Sequence, residues 1–186
     1  MVLEKKRVTA AEFEELVNLP ENADKLFELM GGEIYEVPTN AYCSKIASII
    51  SGYIFIYLLQ HNIGHLTGEQ GGYWVFGERY APDVGYISYE RQPELAKTGY
   101  NPNPPELAVE VFSPTDSEKR LSTKIGNYLA ADTLVWVVYP EDHEVVVFAS
   151  GQPPQTLGIE GILDGGKVLS EFKLAVRDIF AALTKP

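Results

Sequence analysis

A short run of apolar residues with one acid inside it constrains the fold more than any other feature. Residues 107–112 read Leu-Ala-Val-Glu-Val-Phe, and an apolar run of this length is typical of a strand that is buried on both faces. Such a strand requires packed layers on both sides of its sheet. A carboxylate inside it, Glu110, costs several kcal/mol unless it finds a partner. The run therefore predicts a layered fold and marks Glu110 as a candidate for chemistry.

Other patterns predict the helices and strands of these layers. The strongest helical periodicity joins Ile46 to Leu58 at i, i+3, i+4, i+7 spacing, and Gly64 ends it. Gly31-Gly32 predicts a tight hairpin. Further helices are expected over 10–19, 115–131 and around Ile179, and further strands over 65–69, 73–76, 83–88, 134–139 and 145–148. The sequence thus predicts an α+β fold: a mixed central sheet flanked by helices, with an N-terminal helix and a β-hairpin.

Length and composition bound the class of protein. A chain of 186 residues suggests one domain over 1–186. The single cysteine, Cys43, excludes a disulfide within the chain, and the spacing of the three histidines excludes the common zinc motifs. The polar N-terminus lacks the apolar segment of a signal peptide, and no uncharged apolar run reaches 18 residues. We therefore expect a cytoplasmic protein that does not span a membrane.

Two acids and a lysine are candidates for a catalytic site. Asp83 opens a predicted strand, and Glu110 lies in the buried one. Either an arginine, lysine or backbone amide satisfies each acid, or the two converge across neighbouring strands and bind a divalent cation. Hard oxygen ligands without sulfur favour Mg²⁺ or Mn²⁺. Lys124 follows on the next helix with Tyr128 one turn later, and its ammonium either reaches back over the sheet or stays in solvent.

The order of these segments resembles the Uma family of restriction endonucleases, within the PD-(D/E)xK nuclease superfamily. The resemblance rests on Pro82-Asp83, on Glu110-Val111-Phe112-Ser113-Pro114 and on Lys124-x-x-x-Tyr128. The segments 27–33 and 135–138 agree as well, and the likeness covers residues 9–150. It implies a restriction-endonuclease-like fold and a Mg²⁺-dependent endonuclease that hydrolyses phosphodiester bonds.

The resemblance also implies roles for individual residues. Asp83, Glu110 and the backbone carbonyl of Val111 would bind Mg²⁺, with Mn²⁺ as a substitute. The lysine that the superfamily usually carries two residues after the acid is replaced here by Phe112, and Lys124 on the following helix would take its catalytic role.

Two further residues would be accessory to the site. Glu28 matches an acid in the family's hairpin; it lies either at the edge of the site or exposed on a strand. Tyr128 either faces the substrate or packs in the core.

The chain departs from the family pattern at three places. Cys43 stands where a histidine is usual, Tyr139 where an acid is often found, and Ala131-Asp132 where a glycine is usual. None of these changes removes a predicted metal ligand, but the first leaves any role of that histidine unfilled.

The net charge of −11 opposes strong binding to nucleic acid. Basic residues occur in local groups: Lys5-Lys6-Arg7, Lys119-Arg120, and Arg79, Arg91 and Lys97 near a long loop. We expect weak, salt-sensitive binding of nucleic acid, with DNA favoured, by a homodimer. The alternatives are a non-catalytic interaction module that keeps the nuclease fold, and a metal hydrolase of small phosphoesters.

Overall fold

A computed structural model describes residues 7–37, 40–114 and 116–181. The helices are α1 (Ala10–Val17), α2 (Ala41–His61), α3 (Glu118–Ala130) and α4 (Val176–Ala181). The strands are β1 (Phe27–Met30), β2 (Glu33–Glu36), β3 (Gly64–Gly68), β4 (Tyr73–Val75), β5 (Glu78–Tyr80), β6 (Val84–Ser88), β7 (Leu107–Val111), β8 (Leu134–Tyr139), β9 (Glu144–Phe148), β10 (Gln155–Leu157), β11 (Ile162–Asp164) and β12 (Lys173–Ala175).

A six-stranded mixed sheet, in the order β10-β9-β8-β7-β6-β3, lies at the centre. Strand β7 pairs in parallel with β8 and antiparallel with β6. All five residues of β7 are buried, as the apolar run predicts. Helices α2 and α4 contribute to the hydrophobic cluster on one face of this sheet. Helix α3 and the smaller sheet β2-β1-β5-β4 contribute to the cluster on the other. The predicted α+β architecture with a mixed central sheet is therefore confirmed.

Local sequence signals correctly predict where α1 begins and where the chain turns between β1 and β2. Thr9 caps α1 in a capping box with Glu12. Gly31 and Gly32 have φ of 60° and 75°, which suits the turn between β1 and β2 because glycine adopts positive φ without steric cost.

Other boundaries differ from the predictions. Helix α2 ends at Asn62, which has φ 47° and caps the helix in the left-handed conformation, so Gly64 begins β3 instead of ending the helix. Helix α3 begins at Glu118 rather than at 115, because the Ser117 hydroxyl accepts a hydrogen bond from Arg120 N–H and caps it. Strands β5, β10, β11 and β12 were not predicted; each has only three residues, too few for a period to be visible.

Helix α2 is long and apolar enough, by length and composition, to cross a membrane. Here, however, one side of it packs on the central sheet, where Ile46, Ile50 and Ile54 are fully buried. This packing identifies α2 as a core helix, and the fold contains no convincing membrane span among the residues described.

Candidate active site

Two of the predicted site residues lie opposite each other at one end of the central sheet. Strands β6 and β7 pair Val84 with Val109, so Asp83, one residue before β6, lies across from Glu110. The Val111 N–H donates a hydrogen bond of 2.6 Å to Asp83 Oδ2. The sheet register thus brings the two acids to the same strand ends, and Asp83 is satisfied there by a backbone amide.

Lys124 reaches this end of the sheet from α3. Its Nζ donates hydrogen bonds of 2.8 Å to Glu110 Oε2 and to Glu28 Oε1. All three residues are buried, with 7% of Lys124, 9% of Glu110 and 8% of Glu28 exposed. The alternatives of a solvated lysine at 124 and an exposed carboxylate at 28 are therefore wrong.

The remaining contacts fix the two glutamates. The Ala81 N–H donates to Glu28 Oε1 at 3.0 Å, which ties β1 to the segment that leads into Asp83. The Tyr128 hydroxyl donates to Glu110 Oε1 at 3.1 Å. Tyr128 is fully buried and so is both a core residue and a hydrogen-bond partner of the site. Each oxygen of Glu110 consequently has one donor from α3.

Burial changes the proton affinities in this cluster. Removal from water raises the pKa of Asp83 to about 6, although the hydrogen bond from Val111 N–H opposes the shift. Burial also raises the pKa of Glu110, against the attraction of Lys124. For Lys124, burial favours the neutral amine, but the charges of Glu110 and Glu28 outweigh it and raise the pKa. The lysine therefore stays an ammonium ion.

An open groove of about 420 Å³ leads to Asp83 from the side of α2. Its walls are formed by α2 on one side and by the turn 68–71 after β3 on the other. Three serines of α2 lie along it at i, i+4, i+7 spacing: Ser44, Ser48 and Ser51. Their hydroxyls make no hydrogen bond with the part of the chain that the structure describes. The groove thus offers uncharged serine donors beside one of the candidate metal ligands, while its other wall carries the carboxylate of Glu69.

Cys43, at the position of the family's usual histidine, is buried near the first turn of α2. Burial, reinforced by the negative charges of Asp83 and Asp116, raises the pKa of its thiol to about 11. A neutral thiol cannot carry the positive charge that a histidine could bring to this point.

Asp83 and Glu110 suit a hard divalent cation by donor type. Mg²⁺ is commonly held by one or two carboxylates while keeping waters or substrate phosphate oxygens. Within residues 7–37, 40–114 and 116–181, no three His, Cys, Asp or Glu side chains are grouped so as to enclose a metal ion. A cation here would therefore share Glu110 with Lys124 and Tyr128 and complete its shell with water or substrate oxygens.

Only some of the basic residues noted in the sequence are free to contact a phosphate. Arg79 is buried, pairs with Glu14 at 2.7 Å and lies over the ring of Trp74. Arg120 lies 4.8 Å from the centroid of the Tyr35 ring. Lys5 and Lys6 fall outside the described residues. Arg79 is thus a structural residue rather than a free surface base.

Sequence reasoning missed several neighbours of the cluster. The Lys124 ammonium lies 5.7 Å from the centroid of the Tyr80 ring, and Asn127 donates a 2.6 Å hydrogen bond to the Tyr80 hydroxyl. The sequence signal for Asn127 was its i+3 spacing from Lys124, which places both on one side of the helix. The signal for the groove was the spacing of the three serines over seven residues of the predicted helix.

The mixed sheet, its two covering layers and the buried acid–lysine cluster at the strand ends define a nuclease-like protein of the restriction-endonuclease-like fold. The chain belongs to the Uma2 family, described as "Putative restriction endonuclease", whose sequence profile matches residues 11–177.

Among solved structures, the chain is similar to a crystal structure described as a putative nuclease belonging to DUF820 from Anabaena variabilis ATCC 29413. The two share 21% identity, with a TM-score of 0.83 over 95% of this chain and 99% of that one. At this identity the likeness supports the fold. No curated protein matches the chain.

Proposed function

We propose that this protein is a Mg²⁺-dependent endonuclease that hydrolyses phosphodiester bonds of nucleic acid. The observation that carries the proposal is the position of Asp83 across from Glu110, with Lys124 2.8 Å from the same glutamate. Two carboxylates and an ammonium ion at one strand end are the groups that phosphodiester hydrolysis requires: ligands for a cation and a positive charge for the phosphoryl oxygens.

Each residue of the cluster has a proposed task. Asp83, Glu110 and the carbonyl of Val111 would hold the cation. Mg²⁺ bound there would polarise the scissile phosphate and lower the pKa of a bound water. Lys124 stays protonated because two carboxylates surround it, so it supplies a fixed positive charge. Its double hydrogen bond also holds Glu110 and Glu28 in position before substrate binds.

Glu28 and Tyr128 are proposed as positioning residues. Glu28 anchors Lys124 from the opposite side and is itself fixed by Ala81 N–H. Tyr128 fixes the second oxygen of Glu110. Glu28 therefore acts through Lys124, and Tyr128 acts through Glu110.

The groove beside α2 is the proposed path of the substrate backbone. Serine hydroxyls are frequent partners of phosphate oxygens, and they carry no charge that would repel them. The protein's charge of −11 makes binding weak and strongly dependent on salt. DNA is the preferred substrate in this proposal, cleavage occurs in the cytoplasm, and a homodimer supplies the two sites needed to cut two strands.

A second candidate function is a non-catalytic interaction module. One observation favours it: Glu28, Lys124 and Glu110 already satisfy one another by hydrogen bonds, so the cluster is stable as an ion pair network without a cation. In that case the cluster would serve only to hold α3 and β1 on the central sheet.

Plasmid nicking separates the two functions. Supercoiled DNA and single-stranded DNA are incubated with wild-type protein and Mn²⁺ or Mg²⁺. Asp83→Asn, Glu110→Gln and Lys124→Met proteins are purified in parallel, with Asp164→Asn as the control because Asp164 is exposed and its carboxylate pairs with Lys173 and Gly166 rather than with the cluster. The proposal expects cleavage by wild type and control, and its loss in the other three.

Metal binding is measured on the same proteins by a thermal shift with Mn²⁺. A shift that requires Asp83 supports the cation site. Cleavage that persists in the three variants would mean a contaminating nuclease or a different site, and the absence of both cleavage and a Mn²⁺ shift would favour the interaction module.

A further inference from the structure

The outward side of α2 is apolar although it faces solvent. Phe55, Ile56 and Leu59 are 54%, 58% and 68% exposed. Within the residues that the structure describes, twelve large apolar side chains are exposed, and six of them lie between Tyr42 and Ile63. Such a concentration on one helix marks an interaction surface, because scattered exposed apolar residues are normal but clustered ones are not.

The spacing of the exposed residues is that of a helix which packs against another helix. Positions 45, 48, 52, 55 and 59 are separated by three, four, three and four residues, the repeat that forms a continuous seam along one side of a helix. All five are exposed, as is Ile56 beside them, and these six residues form a seam on the side opposite Ile46, Ile50 and Ile54. Helix α2 therefore has two packing stripes, and the chain itself covers only one.

Charge distinguishes this surface from the rest of the molecule. The chain has 26 acids, but none occurs between Glu36 and Glu69. The seam itself carries one charge, that of Lys45. Two molecules with a net charge of −11 repel each other over most of their surfaces, and they can approach with least repulsion where acids are absent.

We propose that this seam is the contact with a second copy of the chain, in which the two α2 helices run antiparallel about a twofold axis at Gly52. Such an interface is isologous: if one residue contacts another, the reverse contact also exists. With the axis at position 52, Ser48 of one helix faces Ile56 of the other, and Lys45 faces Leu59.

The seam is complementary to itself in this arrangement. Its N-terminal half has a lysine and a serine, and its C-terminal half has large apolar side chains. Ile56 and Leu59 therefore each meet a small or flexible residue, and the aliphatic stem of Lys45 covers Leu59 while its ammonium reaches water. Gly52 at the axis permits the closest approach of the two backbones. A glycine inside a helix is less favourable than an alanine, and the close contact of the two backbones explains its presence here.

The proposal concerns assembly and does not depend on the chemistry proposed at Asp83. A helix of 21 residues is about 31 Å long, so one helix pair gives an interface at the small end of the usual range, with micromolar affinity. The groove at Asp83 lies to one side of the seam, with Ser48 at their common border.

Light scattering coupled to size exclusion tests the arrangement. At about 100 μM, within reach of a weak interface, wild-type protein is expected to have twice the 20.6 kDa mass of the chain. Ile56→Glu and Gly52→Leu are expected to shift the protein to monomer. Gly52 suits this test because a side chain there meets no atom within 4 Å in the single chain, so the substitution blocks the partner without disturbing the fold.

Ile162→Glu is the matched control, since Ile162 is also exposed, at 57%, but lies outside the seam; it should remain dimeric. A Gly52→Cys protein should form a covalent dimer on mild oxidation, and Ser122→Cys, exposed on α3, should not. A monomeric wild type, or a dimer that survives both Ile56→Glu and Gly52→Leu, would overturn the proposal. A monomer that sediments with phosphatidylglycerol vesicles, and loses this property in Leu59→Glu, would also overturn it and assign the seam to lipid.

Discussion

The Lys124 ammonium lies 2.8 Å from Glu110 Oε2, although the two residues are 14 positions apart and belong to a helix and a strand. The resemblance to PD-(D/E)xK nucleases would place a lysine two residues after the acid on the same strand. Here that position holds Phe112, whose ring packs 5.4 Å from the ring of Tyr139. The lysine thus enters the same region from α3, and the chemistry depends on how this helix docks on the sheet.

The first prediction concerns the stability that Lys124 provides. Lys124→Met should reduce the free energy of unfolding by about 3–5 kcal/mol at pH 8, because two buried carboxylates lose their countercharge. Urea denaturation with EDTA measures the loss. The deficit should shrink as pH falls from 8, because burial already raises the pKa of Glu110 and the loss of Lys124 raises it further, so that this carboxyl takes up a proton in the variant. Lys119→Met on the exposed side of α3 should change stability by less than about 0.5 kcal/mol; an equal loss in both variants would refute the buried network.

The second prediction concerns Asp83 and pH. Burial raises its pKa from an ordinary 3.8 to about 6, so the folded state disfavours the charged form. The stability associated with the neutral carboxyl is complete below pH 4 and is lost as pH rises through about 6. In metal-free buffer, Asp83→Asn should therefore be more stable than wild type by about 1–3 kcal/mol at pH 8.

Urea denaturation of both proteins with EDTA, at pH 4 and pH 8, checks this expectation. The difference should vanish at pH 4, and Asp164→Asn should show no such gain. If Asp83→Asn is instead less stable than wild type at pH 8, the carboxylate is a structural hydrogen-bond acceptor for Val111 N–H rather than a group kept at a cost in stability.

The predictable part of this fold and the unpredictable part have different physical origins. Strand β7 could be recognised because a strand that is buried on both faces consists almost entirely of apolar residues. Glu110 was then conspicuous as the one acid within it. The burial of Glu28 could not be inferred, because it depends on the pairing of Leu29 with Arg79, fifty residues away. The end of α2 at Asn62 was missed because asparagine and glycine both cap helices in the left-handed conformation.

Ala131-Asp132, where the family usually has a glycine, is another position whose conformation could not be predicted from the sequence. Asp132 has φ 57°, so the backbone adopts the left-handed conformation that glycine favours, and aspartate is one of the few other residues that adopt it. The sequence indicates that a glycine is absent here, but not that Asp132 takes this conformation.

The third prediction concerns Tyr128. Tyr128→Phe removes the donor to Glu110 Oε1 and leaves a buried acceptor without that partner, so the free energy of unfolding should fall by about 1–3 kcal/mol. Because Glu110 keeps its bond to Lys124, cleavage should decline far less than in Lys124→Met. Tyr89→Phe, whose hydroxyl contacts Asn62 near the surface, is the control. Complete loss of cleavage in Tyr128→Phe with unchanged stability would instead indicate direct contact with substrate.

The fourth prediction concerns the groove. An acid at Ser51 should repel the phosphate backbone while leaving the fold intact, because the Ser51 hydroxyl holds no other described group and its side chain borders open space. Ser51→Glu is expected to weaken cleavage at least about tenfold, equivalent to about 1.4 kcal/mol, with the deficit decreasing as salt screens the added charge. The Mn²⁺ thermal shift should persist. Ser122→Glu on α3 adds the same charge away from the groove and should cut like wild type. Equal cleavage by both variants would mean that the substrate does not pass along α2.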